Sequence, residues 1–325
     1  MRTEVLVIGG GQAGLAAAFF LARSGIPYVV LDKGSEVGEA WKRRYDSLTL
    51  FTPRNCSRLP GMRLAGDPDD FPTKDEIARA LRQYVEDHGL HIRLGTEVTE
   101  LAKAGDAFEA VTNRGTFFAR HVIVATGPFQ EPWIPPMAGR LDPDVVQLHS
   151  ARYRNPGALR PGTALVVGGG NSGAQIAVEL AANRRVVLSA ARRMTFLPLT
   201  VAGKSVFRWF DALGLLNAPA DSPVGRIVRK RPDPVFGLEL KRLIAARRIL
   251  LKPRAVHASG RTVRFEDGSV VEADNIIWAT GFRSDYLWLR IPGALDDAGA
   301  PLHERGASPV DGLYYVGLPW QTSRN

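Results

Sequence analysis

The 325-residue chain is 45% apolar and 23% charged, has a formal net charge of +9 and holds one cysteine, Cys56. That length suits about two domains with ample core, and the composition is that of a folded globular protein. One cysteine excludes an intrachain disulfide and a C-x-x-C redox pair, and the basic excess is scattered arginine, without the like-charge block of a nucleic-acid-binding arm.

Residues 5–8 form a short apolar run suited to a buried parallel strand. Gly9, Gly11 and Gly14 follow in the frame G-x-G-x-x-G, with Ala13 inside it, and an alanine-rich helix over 12–23 stops at Gly25. The first glycine permits a tight turn, the second lets backbone approach a pyrophosphate, and the third lets helix and strand pack closely. A second strand over 27–31 ends at Asp32, 23 residues after Gly9. That is near the ~20 expected of an acid that binds a ribose. Lys33 comes next, and a turn-rich stretch with Trp41, Arg43, Arg44 and Tyr45 follows. Alone, these read as a packed tryptophan and a solvated basic pair. Over a nucleotide site, the rings could cover a flat group and the arginines meet phosphate.

Thr73 and Glu76 form a capping box ahead of a helix with Ile77, Leu81, Tyr84 and Val85 on one face, closed by His88 and Gly89. His88 and His91 lack the acid or cysteine company of a metal site, and no metal is expected. Strands are expected at 91–94, 97–101, 108–112, 116–119 and 121–125, with a hairpin turn at Asn113-Arg114-Gly115. The last strand ends at Ala125-Thr126-Gly127, where small residues suit close approach to a cofactor. A proline-rich connection over 128–136 follows.

The pattern then repeats. An apolar strand at 164–167 leads into Gly168, Gly170 and Gly173, with Asn171 and Ser172 between. A helix over 172–182 and a strand over 185–189 come next, then Arg192 and Arg193. A helix near 238–248, a hairpin at Asp267-Gly268 and a strand over 275–278 ending at Ala279-Thr280-Gly281 complete the copy. The glycine loops lie 159 residues apart, the hairpins 153 and the Ala-Thr-Gly ends 154. Three features at closely similar offsets, in the same order, imply an internal duplication. The expected fold is therefore α/β: two Rossmann-like units, each a parallel sheet with an antiparallel meander, the second inserted in the first. The first unit is assigned 1–155 and 275–325, the second 156–274. Asp32 accepts from ribose hydroxyls and repels a 2′-phosphate, so the first copy suits FAD or NAD. Ser189, Arg192 and Arg193 favour that phosphate, so the second suits NADPH.

These residues resemble the flavin-containing monooxygenases, including bacterial members named after cation-efflux genes and the plant YUCCA-type enzymes. EVGEAW at 36–41 is similar to the family's E-x-G-G-x-W, with Glu39 for one glycine; YDSLTLFTP at 45–53 and FPT at 71–73 are also similar. HSARYR at 149–154 matches the end of the fingerprint F-x-G-x-x-x-H-S-x-x-Y-R, whose Phe and Gly positions hold Pro143 and Val145. The resemblance implies FAD at Gly9, Gly11, Ala13, Gly14, Asp32, Lys33, Trp41, Thr52, Val98, Thr126, Gly127, Gly317 and Leu318. It implies NADPH at Gly168, Gly170, Asn171, Ser172, Gly173, Arg192, Arg193, Thr280 and Gly281. Amine-oxidising relatives carry an asparagine around Phe51-Thr52 that this chain lacks. Relatives also continue past Trp320 into a helix facing the flavin, a support that is absent or supplied otherwise here.

The implied chemistry is oxygenation of a small organic substrate by NADPH and O2 through a C4a-(hydro)peroxyflavin. It requires no side-chain acid or base, so no catalytic residue is named, and His149 reads as a hinge or domain-contact residue. One alternative is an NAD(P)H:acceptor oxidoreductase, a quinone reductase or oxidase, for which residues 206–216 would be a docking segment; they read first as a packing helix. A non-catalytic nucleotide-binding protein is another. Neither nucleic acid nor a membrane span is expected, no secretory signal is visible, the expected compartment is cytoplasmic, and a homodimer stands as an open option.

Overall fold

The computed structural model describes residues 1–322. The first unit opens with β1 (Arg2–Ile8), α1 (Gln12–Arg23) and β2 (Tyr28–Leu31), followed by the short α2 (Glu39–Lys42) and α3 (Lys74–Asp87). Next come β3 (Ile92–Arg93), β4 (Val98–Ala104), β5 (Ala107–Thr112), β6 (Gly115–Val124) and β7 (Glu131–Pro132). The second unit contains β8 (Val146–His149), β9 (Ala164–Val167), α4 (Asn171–Leu180) and β10 (Val186–Ser189). Short pieces follow: β11 (Phe196–Leu197), β12 (Thr200–Val201), β13 (Lys204–Ser205), α5 (Val206–Ala212), α6 (Pro223–Lys230) and β14 (Val235–Phe236). The unit finishes with α7 (Glu239–Ala245), β15 (Ile249–Lys252), the meander β16 (Ala255–Ser259), β17 (Thr262–Phe265) and β18 (Val270–Glu272), and β19 (Asn275–Trp278). The chain returns through β20 (Phe282–Arg283) to β21 (Leu313–Tyr315).

The first sheet runs β3-β2-β1-β6-β5-β4, with β21 added beside the upper half of β6. The second runs β15-β10-β9-β19-β8 and is parallel throughout. Each parallel core is apolar on both faces, as burial between two layers demands. In β1, Val5 and Val7 point at α1 and α3, while Leu6 and Ile8 point at the meander residues Leu101 and Phe108. In β9, Val166 faces α4 and α7, while Leu165 and Val167 face Val263 and Phe265. The duplication thus extends to which side chain fills which layer. Gly25 closes α1 at φ +66°, with Ile26 N–H donating to Leu21 O, a turn that suits glycine.

Two expectations change. The strands expected at 116–119 and 121–125 are one strand, β6. The buried set shifts phase at Arg120, from Phe117 and Ala119 to Val122 and Val124. There β6 leaves its antiparallel partner β5 and gains β21. The pairing of β8 and β19 with β9 also moves the borders: residues 146–149 and 275–278 sit in the second sheet, not the first unit. The chain crosses between units at β7 and β20, which pair antiparallel as a two-stranded ribbon.

Candidate functional site: two glycine cradles facing one junction

The same atoms meet at both glycine loops. Gly9 N–H donates to Leu31 O at 2.8 Å, and Gly168 N–H to Ser189 O at 2.9 Å. A Cβ on Gly9 (φ +108°) would lie 2.5 Å from Ala125 O, and one on Gly168 (φ +125°) 2.1 Å from Ala279 O. On Gly14 it would lie 1.8 Å from Gly9 O, and on Gly173 2.0 Å from Gly168 O. At Gly11 and Gly170 it would meet nothing within 4 Å. The outer glycines are required by packing; the middle ones leave open space above a helix start.

Those starts are also left without side-chain caps. Thr73, Ser205 and Ser222 cap α3, α5 and α6, whereas α1 and α4 start at Gly11 and Gly170 with no side-chain cap, as do the shorter α2 and α7. The first N–H groups of a helix have no intrahelical acceptor, and an uncapped start suits an anion. Each cradle fits a pyrophosphate on that geometry.

The strand ends differ as the sequence suggests. Asp32 accepts from Gly10 N–H at 2.5 Å and from Gly34 N–H at 2.7 Å, which fixes its carboxylate beside the first cradle. Lys33 is exposed. Arg192 and Arg193 are both exposed past the end of β10. Ser189, expected beside them, is buried: its hydroxyl donates to Pro253 O and accepts from Ala255 N–H. Asn171 is also committed, its amide bonded to Pro234 O and Phe236 N–H, so it fastens β14 to the second loop. Side-chain use of this kind leaves no mark in a sequence.

Around the first cradle, Trp41 packs on the α1–α3 core, while Val98 and Leu318 pack on the meander core. The Thr52 hydroxyl lies 2.9 Å from that of Ser57. Gly317 abuts α1: a Cβ there would sit 2.7 Å from that of Ala13. The Gly317 and Leu318 N–H groups both donate to Gln321 Oε1. Thr126 accepts from Gln130 Nε2, and the Thr280 hydroxyl donates to Trp133 O.

The Ala-Thr-Gly ends converge. Phe129 and Phe282, two and one residues beyond those ends, meet edge to face at 5.3 Å. His149, 2% exposed, is 5.0 Å from Phe282. Its Nδ1 accepts from Ala151 N–H, so Nε2 carries the proton and donates to Gly281 O at 2.9 Å. Both nitrogens are thus spent on backbone, and burial lowers the imidazole pKa, with Arg44 and Arg152 acting in the same sense. Tyr45 crosses to the second unit and donates to Gln175 Oε1 at 2.7 Å; burial raises its pKa. Phe51 stacks on Phe236 at 4.7 Å and on Phe207 at 6.2 Å, closing an apolar seam between the units. The inner residues of the 206–216 stretch, Val206, Phe207 and Leu216, are buried in that seam. Gln175 and Phe236 were not anticipated. The available signal for Gln175 was a difference between copies, since the matching position in the first helix is Ala16.

A wide concavity of about 840 Å³ lies at the opposite ends of β1 and β2, and none of the expected site residues lines it. Among the described residues, no cluster of His, Cys, Asp and Glu could hold a metal, and no helix is long and apolar enough to cross a membrane.

Comparison with known proteins agrees with this geometry. Residues 6–196 match the pyridine nucleotide-disulphide oxidoreductase family, and residues 113–319 match a second description of it. The uncharacterized CzcO-like oxidoreductase of Geobacillus kaustophilus is 51% identical over 321 residues, 99% of this chain and 92% of its own length. The probable indole-3-pyruvate monooxygenase YUCCA3 of Arabidopsis thaliana is 27% identical across 96% of this chain and 81% of its own. The flavin-containing monooxygenase from Stenotrophomonas maltophilia superposes with a TM-score of 0.81 at 28% identity, covering 98% of this chain and 92% of that one. The chain belongs to the pyridine nucleotide-disulphide oxidoreductase family and, within it, to the flavin monooxygenases.

Proposed function

We propose that the protein is an FAD-dependent monooxygenase that uses NADPH and O2 to place one oxygen atom on a small organic substrate. The observation that carries the reading is the pair of uncapped cradles with matching contacts whose strand ends differ: a fixed carboxylate beside one, two exposed guanidinium groups beside the other. When bound, the nicotinamide supplies hydride and the flavin relays electrons and activates oxygen.

The chain's own residues bind and orient. Gly9, Gly11, Ala13 and Gly14 would hold the FAD pyrophosphate, and Asp32, with Lys33 beside it, would take the ribose. Val98 would face adenine. Trp41, Thr52, Thr126, Gly127, Gly317 and Leu318 would surround the flavin, the last two releasing Gln321 to offer their N–H groups. Gly168, Gly170, Ser172 and Gly173 would hold the NADPH pyrophosphate, with Asn171 contributing backbone and a clamp on β14. Arg192 and Arg193 would pair with the 2′-phosphate, and Thr280 and Gly281 would border the nicotinamide half. The Phe51–Phe207–Phe236 seam keeps water from the junction, where a reactive oxidant needs a dry site.

The test is reconstitution with FAD, followed by NADPH under oxygen-18 gas with a panel of thioethers, ketones and 2-oxo acids. The expected result is labelled product, with less peroxide formed than NADPH consumed. Peroxide equal to NADPH consumed for every compound, with no labelled product, would overturn the reading and favour an acceptor oxidoreductase.

A further inference from the structure

The segment over 41–49, the end of α2 and the loop after it, belongs to the first unit but is bolted to the second. Gln175 Nε2 donates to Thr49 O, Arg154 donates to Lys42 O and Arg44 O, Asp46 N–H donates to Arg154 O, and Asn155 donates to Asp46. Among the described residues, no carboxylate pairs with one cation that this segment delivers. The Arg44 guanidinium lies 5.4 Å from the ring centroids of both Phe129 and Phe282, partly buried, and no carboxylate acts on it. Enclosing an unpaired cation costs free energy, and two ring faces return only part of it. The natural counter-group is an oxyanion entering the junction.

The position says which one. Arg192 and Arg193 mark the adenosine end of the second cradle, and the start of α4 marks its pyrophosphate. The other half of a dinucleotide must then run toward the first cradle. Arg44 stands on that path, against Phe282 beyond Gly281 and next to Tyr45, which is held by α4. We propose that Arg44 is a phosphate subsite, contributed by the first unit, for the nicotinamide-side phosphate of the dinucleotide held by the second. The inference rests on reading the second cradle as an NADPH site. Occupancy of one unit's cradle is thereby sensed by the segment that also carries Trp41.

Calorimetric titration of the flavin-loaded protein with NADP⁺ and with adenosine 2′,5′-bisphosphate, which lacks the nicotinamide half, separates the two ends. Arg44→Gln is expected to weaken NADP⁺ binding by about tenfold to a hundredfold, the range for losing one charge-assisted hydrogen bond, and to leave the bisphosphate within about twofold. Arg44→Lys keeps the charge without the planar fork and is expected to fall between, so it carries the test if Arg44→Gln fails to fold. Arg192→Ala with Arg193→Ala weakens both ligands. The proposal is overturned if either Arg44 variant binds NADP⁺ as the wild type does, or loses both ligands equally. A wild-type protein that binds neither ligand would instead sink the NADPH assignment itself.

Discussion

Replacing the glycines one at a time separates what the fold requires from what a coenzyme requires. On Gly14, a methyl group would lie 1.8 Å from Gly9 O, and on Gly173 2.0 Å from Gly168 O. Carbon and oxygen need about 3.2 Å, so helix and strand would have to part by more than an ångström across a close-packed layer. Forced overpacking of this kind costs about 1–3 kcal/mol or more. For a unit of this size that lowers the melting temperature by about 2–4 °C per kcal/mol. Gly11 and Gly170 are different. Both have extended backbone, φ −77° and −78°, that alanine adopts, and their Cβ positions are open. Gly11→Ala and Gly170→Ala should cost under about 1 kcal/mol of stability yet fill the space a pyrophosphate would occupy. Melting of the cofactor-free variants gives the first quantity, and the flavin-to-protein absorbance ratio after reconstitution gives the second. Gly14→Ala should fail the melt; Gly11→Ala should pass it and fail reconstitution. If Gly11→Ala takes up flavin as the wild type does, or Gly14→Ala melts with it, the cradle argument is wrong.

Three further outcomes follow from the same geometry. Asp32→Asn leaves one of the two backbone donors of Gly10 and Gly34 without an acceptor, so the cofactor-free protein should lose about 1–3 kcal/mol; an unchanged urea midpoint would refute this. Arg192→Ala with Arg193→Ala should raise the KM for NADPH about tenfold or more while sparing NADH, and equal effects on both coenzymes would remove the arginines from recognition. His149 is held neutral, with its folded pKa below the unfolded value of about 6.5. Its stabilising contribution is therefore full above that value and is lost as pH falls toward the folded pKa. Melting temperature between pH 7 and pH 5 should drop less steeply in His149→Gln than in the wild type, and parallel profiles would contradict the linkage.

Much of this was legible because it is local. The helix over 12–23, the strands over 164–167 and 275–278 and the Thr73–Glu76 capping box stand where residue spacing puts them. The outer glycines of each loop could be read for the same reason: each answers a contact within one turn and one strand end. What escaped was non-local. Residues 146–149 and 275–278 join the second sheet through partners far along the chain. The two-residue strands β11 and β14 are too short to show a period. Helix α6 carries a readable start, Ser222 before Pro223, and a short apolar stripe of Val224, Ile227 and Val228, but the fold leaves Val224 and Ile227 exposed and buries only Gly225. Asn171 and Ser189 were assigned by residue type, and the fold had already committed both to backbone.

The paired crossings at β7 and β20 have a consequence for how such a protein can be rebuilt. Residues 133–281 leave and rejoin the rest of the chain at neighbouring points on one ribbon, about 5 Å apart. They form a cassette with adjoining ends. A homologous cassette carrying other residues at positions 192 and 193 could be spliced in at that ribbon, which on the proposed function would change the electron donor while leaving the first cradle untouched.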